Sequence, residues 1–224
     1  MSNSIIFDMD GVIFDTENMY RECWRKLAAE YNIPDIDEVY CRVIGTHAEM
    51  TKRVYMEFYG ADFEYDKLNK ITLDMFHEKE EKEGIPVKDG VVPLLEWLTA
   101  NNYNIGLASS TRTIIVKRQL SNANLIDYFK VVVGGDMVEK SKPAPDIFLK
   151  AITEMEVYMQ TKIPANEVYV IEDSFNGVRA AHAAGMKVIM VPDIVKADDE
   201  MKRLATHICA DLHIVLTIIS QSPR

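Results

Sequence analysis

The chain has 224 residues, 48% hydrophobic and 27% charged, a core-forming mixture that excludes a disordered or fibrous polymer. Lys and Arg number 25 against 35 Asp and Glu, a net charge of −10. That balance argues against nucleic acid as a partner, because such affinity rests on neutralising phosphates with cations, whereas one local site can still take a small anion. No apolar run reaches the roughly 18 residues of a membrane span, so no membrane association is expected. The N-terminus, Met1-Ser2-Asn3-Ser4, has no basic region, and the apolar stretch behind it is broken by Asp8 and Asp10, unlike a secretory signal. The three cysteines, Cys23, Cys41 and Cys209, form no CxxC pair and read as reduced thiols of a cytoplasmic protein. A monomer is expected.

Ser4-Ile5-Ile6-Phe7 is a short strand-type run, followed at once by Asp8-Met9-Asp10-Gly11. Strand patterning is then absent, and segments 19–31, 48–59 and 65–83 carry apolar residues at three- and four-residue steps. The interval 17–86 is therefore read as an all-helical insertion that divides a sheet domain made of 1–16 and 87–224. Its charged run, His77 to Glu83, reads as a solvated helix face, with Glu78 and Lys82 in the favourable i,i+4 order.

Strand and helix alternate beyond the insertion. A helix over 91–100 precedes a strand over 103–108 that ends in Ser109-Ser110, and a helix over 114–120 precedes a strand over 130–133 that ends in Gly134-Gly135. A helix over 147–159 precedes a strand over 168–171 ending in Glu172-Asp173. An Ala-rich helix over 174–184, closed by Gly185, leads to a last strand over 187–191. Apolar, β-branched runs without alternation are typical of strands buried on both faces. The fold class is α/β: a doubly wound, Rossmann-like parallel sheet with a small helical domain inserted after its first strand.

In such a sheet ligands bind beyond the carboxyl ends of the strands, where strand order reverses. Those ends deliver Asp8 and Asp10, then Ser109, Ser110 and Thr111, then Glu172 and Asp173; Lys142, in Ser141-Lys142-Pro143, adds one cation. Four carboxylates on one rim repel each other without a cation, and hard oxygen donors of this kind suit Mg²⁺. Asp8 and Asp10 would point the same way in a regular strand, but the turn at Gly11 can splay them. One carboxylate can then attack phosphorus and the other handle a proton, with Asp10 as the proton carrier. Lys142 would offset the charge on Asp8, and Ser109, Ser110 and nearby amides would hold phosphate oxygens, helped by the N-terminus of the next helix. Ser109-Ser110 can also be read as the cap of that helix.

These residues resemble the haloacid dehalogenase-like superfamily, in the subgroup with a helical cap inserted after the first motif. The resemblance rests on Asp8-Met9-Asp10-Gly11-Val12-Ile13-Phe14-Asp15-Thr16, Leu107-Ala108-Ser109-Ser110, Ser141-Lys142-Pro143-Ala144-Pro145-Asp146 and Ile171-Glu172-Asp173-Ser174 with Asn176-Gly177, four motifs in the family's order over residues 5 to about 191. It implies an Asp8 nucleophile, an Asp10 acid/base, phosphate binding by Ser109 and Lys142, and Mg²⁺ held by Asp8, the Asp10 carbonyl and Asp173, with Glu172 assisting. The implied activity is hydrolysis of a small phosphorylated metabolite, a sugar phosphate above all, through an aspartyl phosphate. The alternative is a β-phosphoglucomutase interconverting β-glucose 1-phosphate and glucose 6-phosphate. Mutases of that kind are expected to carry His where this chain has Tyr20, and Arg where it has Ala48. Glu17, Tyr20, His47, Arg53 and Arg112 are the remaining candidates for substrate contact.

Overall fold

The computed structural model of the chain describes residues 3–44 and 48–221. In chain order the first elements are β1 (Ser4–Phe7), α1 (Thr16–Tyr31), α2 (Ile36–Val43), α3 (Ala48–Tyr59), α4 (Tyr65–Glu83), α5 (Val91–Ala100), β2 (Asn104–Ala108) and α6 (Thr113–Asn122). They are followed by β3 (Val131–Val133), α7 (Asp146–Met159), β4 (Tyr169–Glu172), α8 (Phe175–Ala183), β5 (Lys187–Met190), α9 (Asp199–Leu204), β6 (His207–Ile208) and α10 (Leu212–Gln221).

The strands form one six-stranded sheet in the order β3-β2-β1-β4-β5-β6, every pairing parallel. All four residues of β1 are buried because β2 and β4 flank it and side chains cover both faces. Ile6, Ala108, Val170 and Val188 belong to one core cluster with Phe148, Ala151 and Met155 of α7, Ala181 of α8 and Met201 of α9. Strand alternation sends Ile5 and Phe7 to the opposite face. Strand order reverses between β1 and β4, so the loops after these adjacent strands open one crevice.

The chain separates into two compact units, one made of 1–15 and 86–224 and the other of 16–85. The boundary lies one residue earlier at each end than the periodicity placed it, since α1 already begins at Thr16, with Glu17 favourable in its first turn. On the sheet side of this boundary Asp15 N–H donates to Pro86 O and Lys88 N–H to Ile13 O, both at 2.9 Å.

The second unit carries α1 to α4. Its α2 is not among the helices that the periodicity predicts, although Ile36, Val39, Tyr40 and Val43 are buried at helical spacing. Eight residues rich in β-branched types, behind Pro34 and Asp35, gave too short a periodic signal. An aromatic core holds this unit together, with the Trp24 ring 5.0 Å from Tyr55 and Tyr55 5.0 Å from Tyr65. The i,i+4 pair Lys82–Glu78 forms at 2.6 Å on the solvated face. Beyond residue 191 the structure adds α9, β6 and α10, which are not among the elements that the periodicity predicts.

Candidate active site

Two tight loops and one lysine bring the acidic residues together. After β1, Gly11 adopts φ +79° and donates its N–H to Phe14 O at 2.9 Å, turning the chain directly behind Asp10. A Cβ on Gly11 would meet Asp173 Oδ2 at 2.2 Å, so this glycine serves both the left-handed turn and the approach of the β4 carboxylate. After β4, Glu172 is fully buried and its Oε2 accepts from Asp173 N, Ser174 N and Ser174 Oγ at 2.9 to 3.0 Å. Glu172 thereby sets the turn that presents Asp173, and Ser174 Oγ then caps α8 by accepting from Gly177 N at 3.0 Å.

Lys142 lies between these loops. Its Nζ donates to Asp8 Oδ1 at 2.5 Å and to Glu172 Oε1 at 2.6 Å, and stands 4.9 Å over the Phe148 ring. Burial opposes the ammonium's charge, but the facing Asp8 and Glu172 carboxylates outweigh it and hold its pKa above the ordinary lysine range. Burial also pushes the Asp8 carboxyl up to about 8, partly offset by Lys142 and reinforced by the charges of Glu172 and Asp10.

The loop after β2 completes the group. Ser109 is fully buried, and its N–H continues the sheet to Val133 O at 3.0 Å. Its Oγ accepts from Thr111 N at 3.0 Å and donates to Asp10 Oδ2 at 3.3 Å, while Thr111 Oγ1 donates to that same Asp10 oxygen at 2.9 Å. Of the candidates, Asp8, Lys142, Glu172 and Asp173 thus form one bonded group and Asp10 and Ser109 a second, with the Asp10 charge acting on Asp8 to make one cluster. Ser110 is exposed, and Arg112 is exposed at the N-cap position of α6 without a side-chain capping bond.

The structure replaces the capping role read for Ser109-Ser110. Asp136, from the loop after β3, accepts from both Thr113 N and Thr113 Oγ1 at 2.7 Å and so occupies the α6 N-terminus. Those hydrogen bonds hold the Asp136 carboxyl below the usual aspartate range. Sequence reasoning missed Asp136 and gave Thr111 no role. Thr111 was detectable as a hydroxyl in the first turn after a strand end, whereas nothing local marks Asp136, 23 residues from its partner.

The cap candidates lie in the helical unit. Glu17 accepts from the Tyr40 hydroxyl at 2.8 Å, Tyr20 donates to Asn69 Oδ1 at 2.8 Å, and Arg53 pairs with Glu57 at 3.6 Å. Burial pushes the Tyr20 phenol well above its ordinary pKa. His47 lies outside the described residues.

The profile of the haloacid dehalogenase-like hydrolases matches residues 5–191, which includes every member of the cluster. The chain belongs to this family. It is 32% identical over 188 residues to a phosphorylated carbohydrates phosphatase of Thermotoga maritima, covering 83% of each chain. It is 31% identical over 196 residues to the β-phosphoglucomutase of Bacillus subtilis, covering 84% of this chain and 82% of that one. Its fold matches a haloacid dehalogenase-like protein of unknown function from Agrobacterium tumefaciens with a TM-score of 0.80 at 23% identity, covering 98% of both.

In this haloacid dehalogenase-like hydrolase the donor set suits a hard divalent cation. Asp8, Glu172 and Asp173 each offer an oxygen within 4.8 Å of the others. The cluster's carboxylates outnumber the one ammonium that faces them, while the raised Asp8 pKa comes first from burial. Glu172 already gives one oxygen to Lys142 and the other to the turn, so Asp8 and Asp173 are the ligands with the stronger geometric claim. Among the described residues no helix is long and apolar enough to cross a membrane.

Proposed function

We propose that this family member is a Mg²⁺-dependent phosphatase that hydrolyses a small phosphate ester, of the sugar-phosphate class, through an aspartyl phosphate on Asp8. One observation carries the reading: a single buried lysine joins Asp8 to Glu172 at the reversal point of the sheet, with Asp10 two residues away on a separately anchored side chain. Lys142 keeps an Asp8 oxygen oriented and offsets part of the charge that a phosphoryl group brings. The Asp8 carboxylate attacks phosphorus, and the bond from phosphorus to the ester oxygen breaks while that oxygen takes a proton from Asp10. Asp10, now a carboxylate, removes a proton from water as the water oxygen bonds to phosphorus and the bond from Asp8 to phosphorus breaks. Bound Mg²⁺, held by Asp8, Asp173 and the Asp10 carbonyl with Glu172 behind them, would neutralise charge on the phosphoryl oxygens.

The phosphorylated carbohydrates phosphatase of Thermotoga maritima supports the substrate class. Glu17, Tyr20, His47, Arg53 and Arg112 stay the candidates for contact with the ester. The mutase alternative draws support from the Bacillus subtilis relative. Tyr20 weakens it, because a phenol held high in pKa and bonded to Asn69 is a poor substitute for an imidazole that moves protons.

The deciding experiment is phosphate release over a panel of sugar monophosphates with and without Mg²⁺, alongside β-glucose 1-phosphate with a bisphosphate primer. Free phosphate that vanishes in Asp8→Asn supports the phosphatase. Glucose 6-phosphate without phosphate release supports the mutase, and turnover that survives Asp8→Asn removes both readings.

A further inference from the structure

The proton carrier Asp10 is held by a neighbour that the reaction scheme above does not use. Thr111 Oγ1 donates to Asp10 Oδ2 at 2.9 Å, and Ser109 Oγ donates to the same oxygen at 3.3 Å. The Thr111 amide also donates to Ser109 Oγ at 3.0 Å, which turns the serine proton towards Asp10. Thr111 is fixed in turn, since its carbonyl accepts from Gly135 N at 2.9 Å in the loop after β3. On the other side, the Asp10 backbone bridges to Phe14 within the β1 turn. The carboxylate is therefore oriented from the loop of β2 while its main chain is anchored in the loop of β1.

The terminal torsion of an aspartate is broad, so backbone placement alone leaves its carboxyl plane undefined. A proton donor must be aligned as the ester bond breaks, and misplacement by about 1 Å costs on the order of 100-fold. Ser109 has a competing task, because a hydroxyl that turns to a phosphate oxygen gives up its longer bond to Asp10. Thr111 has the shorter bond.

We infer that Thr111 is the positioning residue of the acid/base: its hydroxyl holds Asp10 in the orientation for proton transfer while Ser109 serves the phosphoryl group. This rests on the phosphatase reading and on Asp10 as its proton carrier. The Thr111 hydroxyl keeps its own proton throughout, and the transferred proton passes only between Asp10, the leaving oxygen and water.

The test compares wild type with Thr111→Val, Thr111→Ser, Asp10→Asn and the double variant Thr111→Val/Asp10→Asn, in Mg²⁺, on two esters. Glucose 6-phosphate expels a strongly basic sugar alkoxide that needs a proton; p-nitrophenyl phosphate expels a weakly basic phenolate that does not. Thr111→Val should lower kcat on glucose 6-phosphate by about 10- to 100-fold with KM nearly unchanged. Its kcat/KM on p-nitrophenyl phosphate should stay within about 3-fold of wild type, because that ratio reports departure of the leaving group. Thr111→Ser should restore the alkyl-ester rate, and Thr111→Val should add nothing in the Asp10→Asn background.

A raised KM with normal kcat would make Thr111 a substrate contact and overturn the inference. Equal losses on both esters, or additive losses in the double variant, would reduce it to a structural residue. Full activity of Thr111→Val beside a crippled Asp10→Asn sinks the inference alone. Full activity of Asp10→Asn, or no turnover of either ester by wild type, sinks the phosphatase reading with it.

Discussion

Gly177 lies directly against the buried carboxylate of Glu172: a Cβ built on this glycine would stand 1.7 Å from Oε1 and 1.8 Å from the carboxyl carbon. The first turn of α8 therefore closes on the side chain that holds both Lys142 and the Asp173 turn. Gly177→Ala must displace one of them. Overpacking of this kind costs about 1–3 kcal/mol, and the displaced Glu172 would lose its grip on Lys142. Urea unfolding and phosphate release measured on the same preparation should both decline; wild-type activity in a folded Gly177→Ala protein would show that Glu172 does not position the lysine.

Removing Lys142 tests the opposite end of that ion pair. Its side chain is 8% exposed and that of Glu172 is fully buried, so Lys142→Met leaves a buried carboxylate without its cation. Breaking a buried pair from one side costs about 3–5 kcal/mol. Pairing the change with Glu172→Gln removes one of the two stranded carboxylates, Asp8 being the other, and the double variant should regain part of the stability while staying inactive. Chemical denaturation curves of the two variants decide this, and a double variant no more stable than Lys142→Met would contradict the pairing as the source of the loss.

Protonation of Asp8 links stability to pH. Its folded-state pKa of about 8 lies above the unfolded aspartate value near 3.9, so the metal-free folded state keeps a proton that the unfolded chain releases. Stability of the metal-free protein should accordingly fall as pH rises from about 4 towards 8, and Asp8→Asn should flatten that slope. Saturating Mg²⁺ binds the ionised form and should raise the melting temperature most at the alkaline end. Melting scans in chelator and in Mg²⁺ across this range provide the check; a Mg²⁺ shift equal at pH 5 and pH 8 would dissociate the metal from Asp8.

Asp136 predicts a subtler effect. It fixes the start of α6 through Thr113 N and Oγ1, and its lowered pKa means that its contribution is present above the ordinary aspartate range and disappears as pH falls through the lower folded value. Asp136→Ala should leave the sheet folded but loosen residues 109–113, lowering kcat by about 3- to 10-fold. Steady-state kinetics beside an unchanged far-ultraviolet spectrum would register this, and an unaltered kcat would separate the helix start from the hydroxyl loop.

Residue pattern is enough to specify the parallel sheet and the identity of the charged residues on its rim. Unbroken β-branched runs such as Val131 to Val133 have few alternatives to a strand covered on both faces, and the runs of β1, β2 and β4 end in the polar residues that a strand's carboxyl end presents. Helices with long repeats were equally legible, α3, α4 and α5 to the residue. Short elements were not: α2 has one heptad of pattern, and β6 has two residues that form only because β5 offers an edge.

Which of these side chains touch within the rim depends on the folded chain. Lys142 is 134 residues from Asp8 and 30 from Glu172, Thr111 is 101 from Asp10, and Asp136 reaches Thr113 from the end of another strand. Local periodicity encodes burial and backbone conformation over a few residues, whereas these pairings are set by strand order, which brings the ends of β1, β2 and β4 side by side. The proton affinities of Asp8 and Lys142 follow from that proximity and from burial, neither of which a residue type carries on its own.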